Sequence, residues 1–204
     1  MYLSMLQLNP RCKQVQSEIY DPYQMHRTLC KAFGDDEESW KNARVLFRVD
    51  ETNGGCKLCA LVQSKLRPDW TKLTVPGNYQ VDEPKLKEVQ FALETGQRLG
   101  FRLRANPTVK RDGKREGLYK EEEQYEWLRK KGEHGGFTVL NAIARADGKQ
   151  KSLTAKGKDA VLLSVIFEGI LQITDPELFL KTLESGIGSA KGFGFGLLSI
   201  APVR

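Results

Sequence analysis

The chain has 204 residues, 40% of them hydrophobic and 28% charged. That is enough apolar material for one large core or two small ones of roughly 100 residues each, and it excludes a disordered polyelectrolyte. Lys and Arg number 32 against 26 Asp and Glu, a net charge of +6 with a pI near 9.1, which suits a polyanionic partner. There is no basic start followed by an apolar run, and no window approaches the ~18 apolar residues of a membrane helix, so neither export nor membrane insertion is expected.

Met1–Asn9 opens as a strand, centred on Tyr2–Leu8. Asp21-Pro22 reads as a helix start: Asp offers a cap oxygen and Pro fits the first turn, where its missing N–H is not needed. The helix runs to about Phe33 and stops at Gly34. Arg44–Val49 and Lys57–Val62 flank Asn53-Gly54-Gly55, a hairpin signal. Pro68–Pro84 is irregular, and Val89–Leu93 with Leu99–Ala105 is expected as a further antiparallel pair. The charged, aperiodic stretch 111–119 reads as a linker between domains 1–110 and 120–204. Beyond it, Lys120–Lys131 is expected as a helix on Tyr125, Leu128 and Trp127. Two strands follow, Phe137–Ala144 and Ala160–Ile173, the latter bent near Gly169. Asp175-Pro176 starts a last helix through about Glu184 with Leu178, Phe179, Leu180 and Leu183 inward. Each half is a mixed order compatible with a ferredoxin-like (split βαβ) unit, so the expected class is α+β.

Four cysteines in a chain without an export signal are expected as reduced thiols of a cytoplasm. Cys56-Lys57-Leu58-Cys59 has zinc or redox spacing, but no second close pair exists and the motif lies in a strand-like run, so buried structural cysteines are expected and no metal or cofactor. Basic charge is concentrated. Residues 98–115 hold Arg98, Arg102, Arg104, Lys110, Arg111, Lys114 and Arg115 against Asp112 alone, and Lys149, Lys151, Lys156 and Lys158 share one turn without an acid. Such runs are commonly solvated faces; two of them in a basic chain point to phosphates.

A helical wheel of Pro22–Phe33 gathers Pro22, Met25, Leu29, Ala32 and Phe33 on a core face and Tyr23, Arg27, Cys30 and Lys31 opposite. His26 falls on the seam, one turn from Tyr23 and Cys30. It is either a boundary histidine bonded to a carbonyl or an acid–base group. Histidine titrates near neutrality; a lysine, Lys31 or Lys191, supplies positive charge; Tyr23 can orient a nucleophile. His134, in Gly132–Gly136, reads as an exposed turn residue.

The segment Gly186–Leu198 has five glycines in its first eleven residues, one lysine, and an apolar run after it. It is a mobile hairpin or a loop whose backbone N–H groups meet phosphates; Gly188, Ser189, Lys191, Gly192 and Gly194 are then the contact residues. Lys191-Gly192-Phe193-Gly194-Phe195 begins like the RNA-recognition-motif signature, which then fails at Gly196 and Leu198. The whole segment, with the opening strand, the helix bearing Tyr23, His26 and Lys31, and Phe101–Thr108, more closely resembles the CasE family of CRISPR-associated RAMP endoribonucleases. That resemblance spans essentially the whole chain.

The resemblance implies two tandem ferredoxin-like domains and metal-independent cleavage of CRISPR repeat RNA at the 3′ base of its hairpin. It carries over His26, Tyr23 and Lys31 as the catalytic group, without assigning acid and base. It further implies that the protein is a monomer when free, stays on its product as a subunit of the prokaryotic Cascade complex, and acts in the cytoplasm. Arg102, Arg104, Lys110, Arg111, Lys149, Lys151, Lys156 and Lys158 are the expected stem contacts, and Arg27 is expected to bind RNA. The competing reading is a non-catalytic RNA-binding subunit of the same architecture, in which His26 merely packs. The loop Gly188–Gly196 is expected to pack near the first helix and to bring Lys191 towards His26.

Overall fold

A computed structural model describes residues 1–52, 57–153 and 159–203, which divide into two compact units. The first comprises Met1–Gln90, Lys151–Ala160 and Gly192–Gly194; the second comprises Phe91–Gln150, Val161–Lys191 and Phe195–Arg204.

The first unit is built on strand β1 (Tyr2–Leu8), helices α1 (Lys13–Tyr20), α2 (Pro22–Cys30) and α3 (Glu37–Ala43), and strands β2 (Leu46–Thr52), β3 (Lys57–Ser64) and β4 (Lys85–Glu88). The sheet is antiparallel in the order β2-β3-β1-β4, the ferredoxin-like arrangement. Register explains its buried face. Leu6 pairs with Ala60 and Leu8 with Leu58, while Phe47 pairs with Val62 and Val49 with Ala60. Alternation puts these on one side, where Leu6, Leu8, Phe47, Ala60 and Val62 form a core with Val15, Met25, Leu29 and Cys30 of the helices. The Leu, Val, Phe and Met side chains among them, buried this fully, contribute ~1.5–3 kcal/mol each.

Several expectations change here. Asp21 does not cap α2 through its side chain, because it also ends α1, donating its N–H to Ser17 O at φ −121°, ψ 84°. Its carboxylate instead accepts from Gln24 Nε2 at 3.4 Å. The helix tightens into a 3-10 turn over Lys31–Phe33 and ends at Gly34, whose φ of 137° favours glycine. Val89–Leu93 is not a strand; the strand is β4, an edge of Lys85, Leu86, Lys87 and Glu88 paired with β1. The hairpin turn Asn53-Gly54-Gly55 and Cys56 lie outside the described residues.

The second unit repeats the topology: β5 (Arg98–Ala105), a hairpin β6 (Thr108–Arg111) and β7 (Lys114–Gly117), α4 (Glu121–Glu133), β8 (Phe137–Leu153), β9 (Asp159–Ile173), α5 (Pro176–Ser185) and β10 (Leu198–Pro202). Its sheet order is β10-β5-β9-β8. Leu103 pairs with both Phe167 and Leu198, and Ala105 with Val165, under Trp127 and Leu128 of α4 and Phe179 and Leu183 of α5. Asp175 caps α5 as expected, accepting from Leu178 N at 3.0 Å. Leu180, expected inside, is exposed. Residues 91–119 group with the second unit, so the stretch expected as a linker is largely the hairpin β6–β7, its turn made by Asp112 and Gly113 at positive φ. The tandem ferredoxin-like class holds.

Candidate active site on the first helix pair

Tyr23 and Arg27 of α2 and Lys31 of the 3-10 turn that follows come at four-residue steps, so they stand roughly one above another along the outer side. Tyr23 and Lys31 are half-buried and Arg27 is exposed, its Nη1 reaching Gln24 Oε1 at 3.5 Å. His26 lies on the seam as the wheel indicated, and three groups enclose its ring. Cys30 Sγ sits 3.7 Å from each ring nitrogen, so the thiol packs on the imidazole rather than bonding one nitrogen. Phe47 of β2 is tilted beside it with ring centroids 6.1 Å apart. Gly192 closes the third side: a Cβ there would stand 3.8 Å from the imidazole. Burial pushes the His26 pKa below 6.5, against the opposing pull of a hydrogen bond to the Val45 backbone. The neutral imidazole therefore predominates at neutral pH. Burial also pushes the Cys30 thiol up to about 12, so this cysteine is an apolar neighbour and not a nucleophile. Cys30 was expected on the outer face; it is instead fully buried, because the covered arc of α2 extends past the seam under His26 and Phe47.

The glycine loop contributes directly. Phe193 stacks on Tyr23 with centroids 5.6 Å apart and planes 30° from parallel. Gly194, at φ 80°, lies against the Phe47 ring, where a Cβ would come within 3.3 Å. Gly192–Gly194 thus pack on α2 and β2. The rest of the loop belongs to the second unit. Gly188, at φ 82°, abuts Trp127, where a Cβ would stand 3.0 Å from the indole; Ser189 Oγ is 3.5 Å from Thr108 Oγ1. Lys191 Nζ donates to Ser185 O at 2.7 Å, so its ammonium is engaged with the loop's own base.

The expected stem contacts divide. Arg102 is ion-paired with Glu168 at 3.2 Å. Arg104 is held by Asp147 at 2.8 Å and Ser164 Oγ at 2.9 Å, and its guanidinium lies over the Phe195 ring. Arg104 is thus a strut of the second sheet. Arg111 pairs with Glu116 and Glu123. Lys149 lies over the exposed Tyr119 ring at 5.3 Å. Lys156 and Lys158 are outside the described residues, and Lys151 is placed by its backbone alone. Lys110 lines a groove of about 470 Å³ with Arg115, Lys131, Lys191, Trp127 and Ser189. Arg115 was named in the sequence only as part of the basic run 98–115, and Lys131 was not a candidate there. Lys131 follows Trp127 by four residues on α4, and that spacing was the available signal. His134 is exposed, its Nδ1 at 2.6 Å from Lys130 O.

Cys12, Cys30 and Cys59 are free thiols, and among the described residues no group of three His, Cys, Asp or Glu is arranged to hold a metal. No helix among them is long and apolar enough to cross a membrane.

Two ferredoxin-like units, with a glycine loop folded onto a histidine-bearing helix, define the class of this chain. It belongs to the CRISPR associated protein family, whose pattern matches residues 1–202. It is 38% identical to the CRISPR-associated endoribonuclease Cse3 of Thermus thermophilus, over 99% of this chain and 100% of that protein. It is 33% identical to the CRISPR system Cascade subunit CasE of Escherichia coli, over 90% of this chain and 93% of the other. The structure of Thermus thermophilus Cse3 bound to an RNA representing a pre-cleavage complex superposes with a TM-score of 0.85 at 36% identity, covering 98% of each chain.

Proposed function

We propose that this protein is a metal-independent endoribonuclease that cuts precursor CRISPR RNA at the 3′ base of the repeat hairpin. It then remains on its product as a subunit of the surveillance complex, in the prokaryotic cytoplasm. The observation that carries this reading is His26: an imidazole kept neutral by burial, boxed by Cys30, Phe47 and Gly192, and adjacent on its helix to Tyr23. The relatives named as an endoribonuclease and as a Cascade subunit, similar over nearly their whole lengths, support it.

The chemistry follows from RNA itself. The 2′-hydroxyl loses its proton and attacks the adjacent phosphorus; the bond to the 5′-oxygen breaks, and that oxygen takes up a proton. The products are a 2′,3′-cyclic phosphate and a 5′-hydroxyl. The nucleophile is the substrate's own oxygen, so the protein need supply proton transfer, alignment and positive charge. His26 transfers the proton and Tyr23, fixed by Phe193, aligns the hydroxyl or shares that transfer. Lys31, with Arg27 one turn earlier, stabilises charge on the phosphorane. A-form stems hide their base edges, so the hairpin is gripped through phosphates by Lys110, Arg111, Arg115, Lys131 and Lys149. Gly192 and Gly194 approach the backbone at the cut, and Gly188, Ser189 and Lys191 contact RNA phosphates.

The test is to incubate the protein with repeat RNA from its own array and map the product ends. A single cut at the hairpin base, a 3′ fragment with 5′-hydroxyl, a cyclic phosphate on the other, and co-elution of protein with the hairpin are expected. An uncut hairpin that nonetheless binds tightly would favour the non-catalytic RNA-binding subunit.

A further inference from the structure

Beneath α2, on the flank away from His26, Glu18 of α1 is 3% exposed and accepts three hydrogen bonds. Gln14 Nε2 donates to its Oε1 at 2.8 Å, Thr28 Oγ1 to the same oxygen at 2.6 Å, and Tyr79 OH to its Oε2 at 2.6 Å. Thr28 is itself buried and lies two residues from His26. Tyr79 is wholly buried in a segment anchored to the first strand: Asn9 N donates to Tyr79 O, and Val81 N to Gln7 O. One carboxylate therefore joins α1, α2 and the end of β1.

A buried carboxylate is costly unless its oxygens are saturated by donors. Here the donors are neutral groups at short distances, the geometry of charge-assisted bonds that are directional and hard to replace. Burial and the adjacent Glu18 charge push the Tyr79 phenol pKa up, so it remains a donor throughout the physiological range. Such a knot is more than the apolar core needs. Met25 and Leu29 already bury one stripe of α2, and stripes of this kind tolerate sliding and rotation better than a hydrogen-bonded node does. Only one residue, Asp21, separates α1 from α2; its carbonyl accepts from Gln24 N at 2.9 Å and its carboxylate from Gln24 Nε2, bonds within α2's own first turn that do not tie the helix to the core. Thr28 is the side chain through which α2 reaches the carboxylate on α1.

We propose that Glu18, acting through Thr28 and anchored by Tyr79, is a positioning residue that sets the rotation of α2 and so the alignment of Tyr23 and His26 with the scissile phosphate. This rests on the proposed ribonuclease reading for its effect on rate. Displacement of about 1 Å at reacting groups can cost ~10²-fold in rate.

The test compares Thr28→Val, which keeps the shape and removes the hydroxyl, with Thr28→Ser, which restores it, in the full-length protein. Single-turnover cleavage, hairpin affinity, melting temperature and the NMR signals of the Tyr23, His26 and Phe193 rings are measured well below the melting range. Thr28→Val is expected to slow cleavage by ~10-fold or more with affinity within about threefold and to displace all three ring signals, and Thr28→Ser to return rate and signals to wild type. Glu18→Gln should reproduce the Thr28→Val pattern. A folded Thr28→Val protein with wild-type ring signals and rate would overturn the proposal. If the wild-type protein itself fails to cut RNA, the ribonuclease reading fails instead, and the ring signals alone decide whether the node fixes the helix.

Discussion

At the scale of single residues, the chemistry turns on what surrounds His26. Its pKa lies below the unfolded value of ~6.5. Above that value both states are neutral and the group contributes no pH dependence. As pH falls below it the unfolded chain takes up the proton first, so His26 lowers stability until pH passes the folded pKa, beneath which the penalty is constant. Thermal melts of wild type and His26→Gln between pH 7.5 and 5 are therefore expected to diverge below about 6.5, wild type losing more. For the same reason the limb of the free enzyme's pH–rate profile that reports His26, the acid limb where it takes the proton from the 2′-hydroxyl and the alkaline limb where it gives one to the 5′-oxygen, should have its midpoint below ~6.5; a profile with no midpoint below that value would mean that His26 is not the titrating group. The wheel located His26 correctly from sequence because its apolar stripe is clean. It misplaced Cys30, and gave no hint of Thr28, because the stripe's flanks are covered by Phe47 on one side and by Glu18 on the other. A wheel carries no information about partners distant in sequence.

At the scale of elements, strong punctuation was legible and weak amphipathic pieces were not. Pro22, Gly34, Asp175 and Pro176 marked helix ends that the structure keeps to within a residue or so. Helix α1 went unread because Cys12 offers no side-chain cap and its first turn has no acid; only Val15 and Glu18 are buried. Helix α3, capped by Asp36 through Ser39, is seven residues long, with Ala43 its only buried residue, too short to show a period. Strand β4 went unread because an edge strand faces solvent and carries Lys85, Lys87 and Glu88, charges that also blunt unwanted pairing. The outer half of β8 has no apolar alternation after Ala144 and was missed likewise. The glycine loop's contact with the helix is as expected, but its means, Phe193 on Tyr23, is not visible in the sequence, where the two rings lie 170 residues apart. Gly194→Ala forces a side chain into φ 80° and against Phe47; strain of ~1–2 kcal/mol is expected, lowering the melting temperature by a few degrees. Gly192→Val, with no positive φ, is expected to spare stability more and to slow cleavage by crowding His26, while Ser189→Ala changes neither greatly. Calorimetry paired with single-turnover rates checks all three; a Gly192→Val protein that cuts at the wild-type rate would remove the loop from the active site.

At the scale of the whole molecule, fold class was the best-read property: the mixed order of strands and helices in each half is compatible with a split βαβ unit, and the family resemblance implied two of them in tandem. Charge was read less well, since a sequence lists cations without their partners. Arg102 and Arg104 are tied to Glu168 and Asp147 from strands far along the chain, whereas Lys110 and Lys131 line an open groove. Lys110→Ala with Lys131→Ala is accordingly expected to weaken hairpin binding and to reduce the slope of log affinity against log salt by ~0.7–0.9 per lost phosphate contact. Arg102→Gln should alter that slope less, and equal losses would show that the ion pairs open on binding. The central claim is that a histidine on α2 drives cleavage without a metal. Its most direct test is single-turnover cutting of end-labelled repeat hairpin in EDTA by wild type and His26→Ala. We expect one cut by the wild type, leaving a cyclic phosphate, and a loss of ~10²–10⁴ in rate for the variant with affinity kept within a few-fold. No cutting in EDTA, or wild-type cutting by His26→Ala, would contradict it.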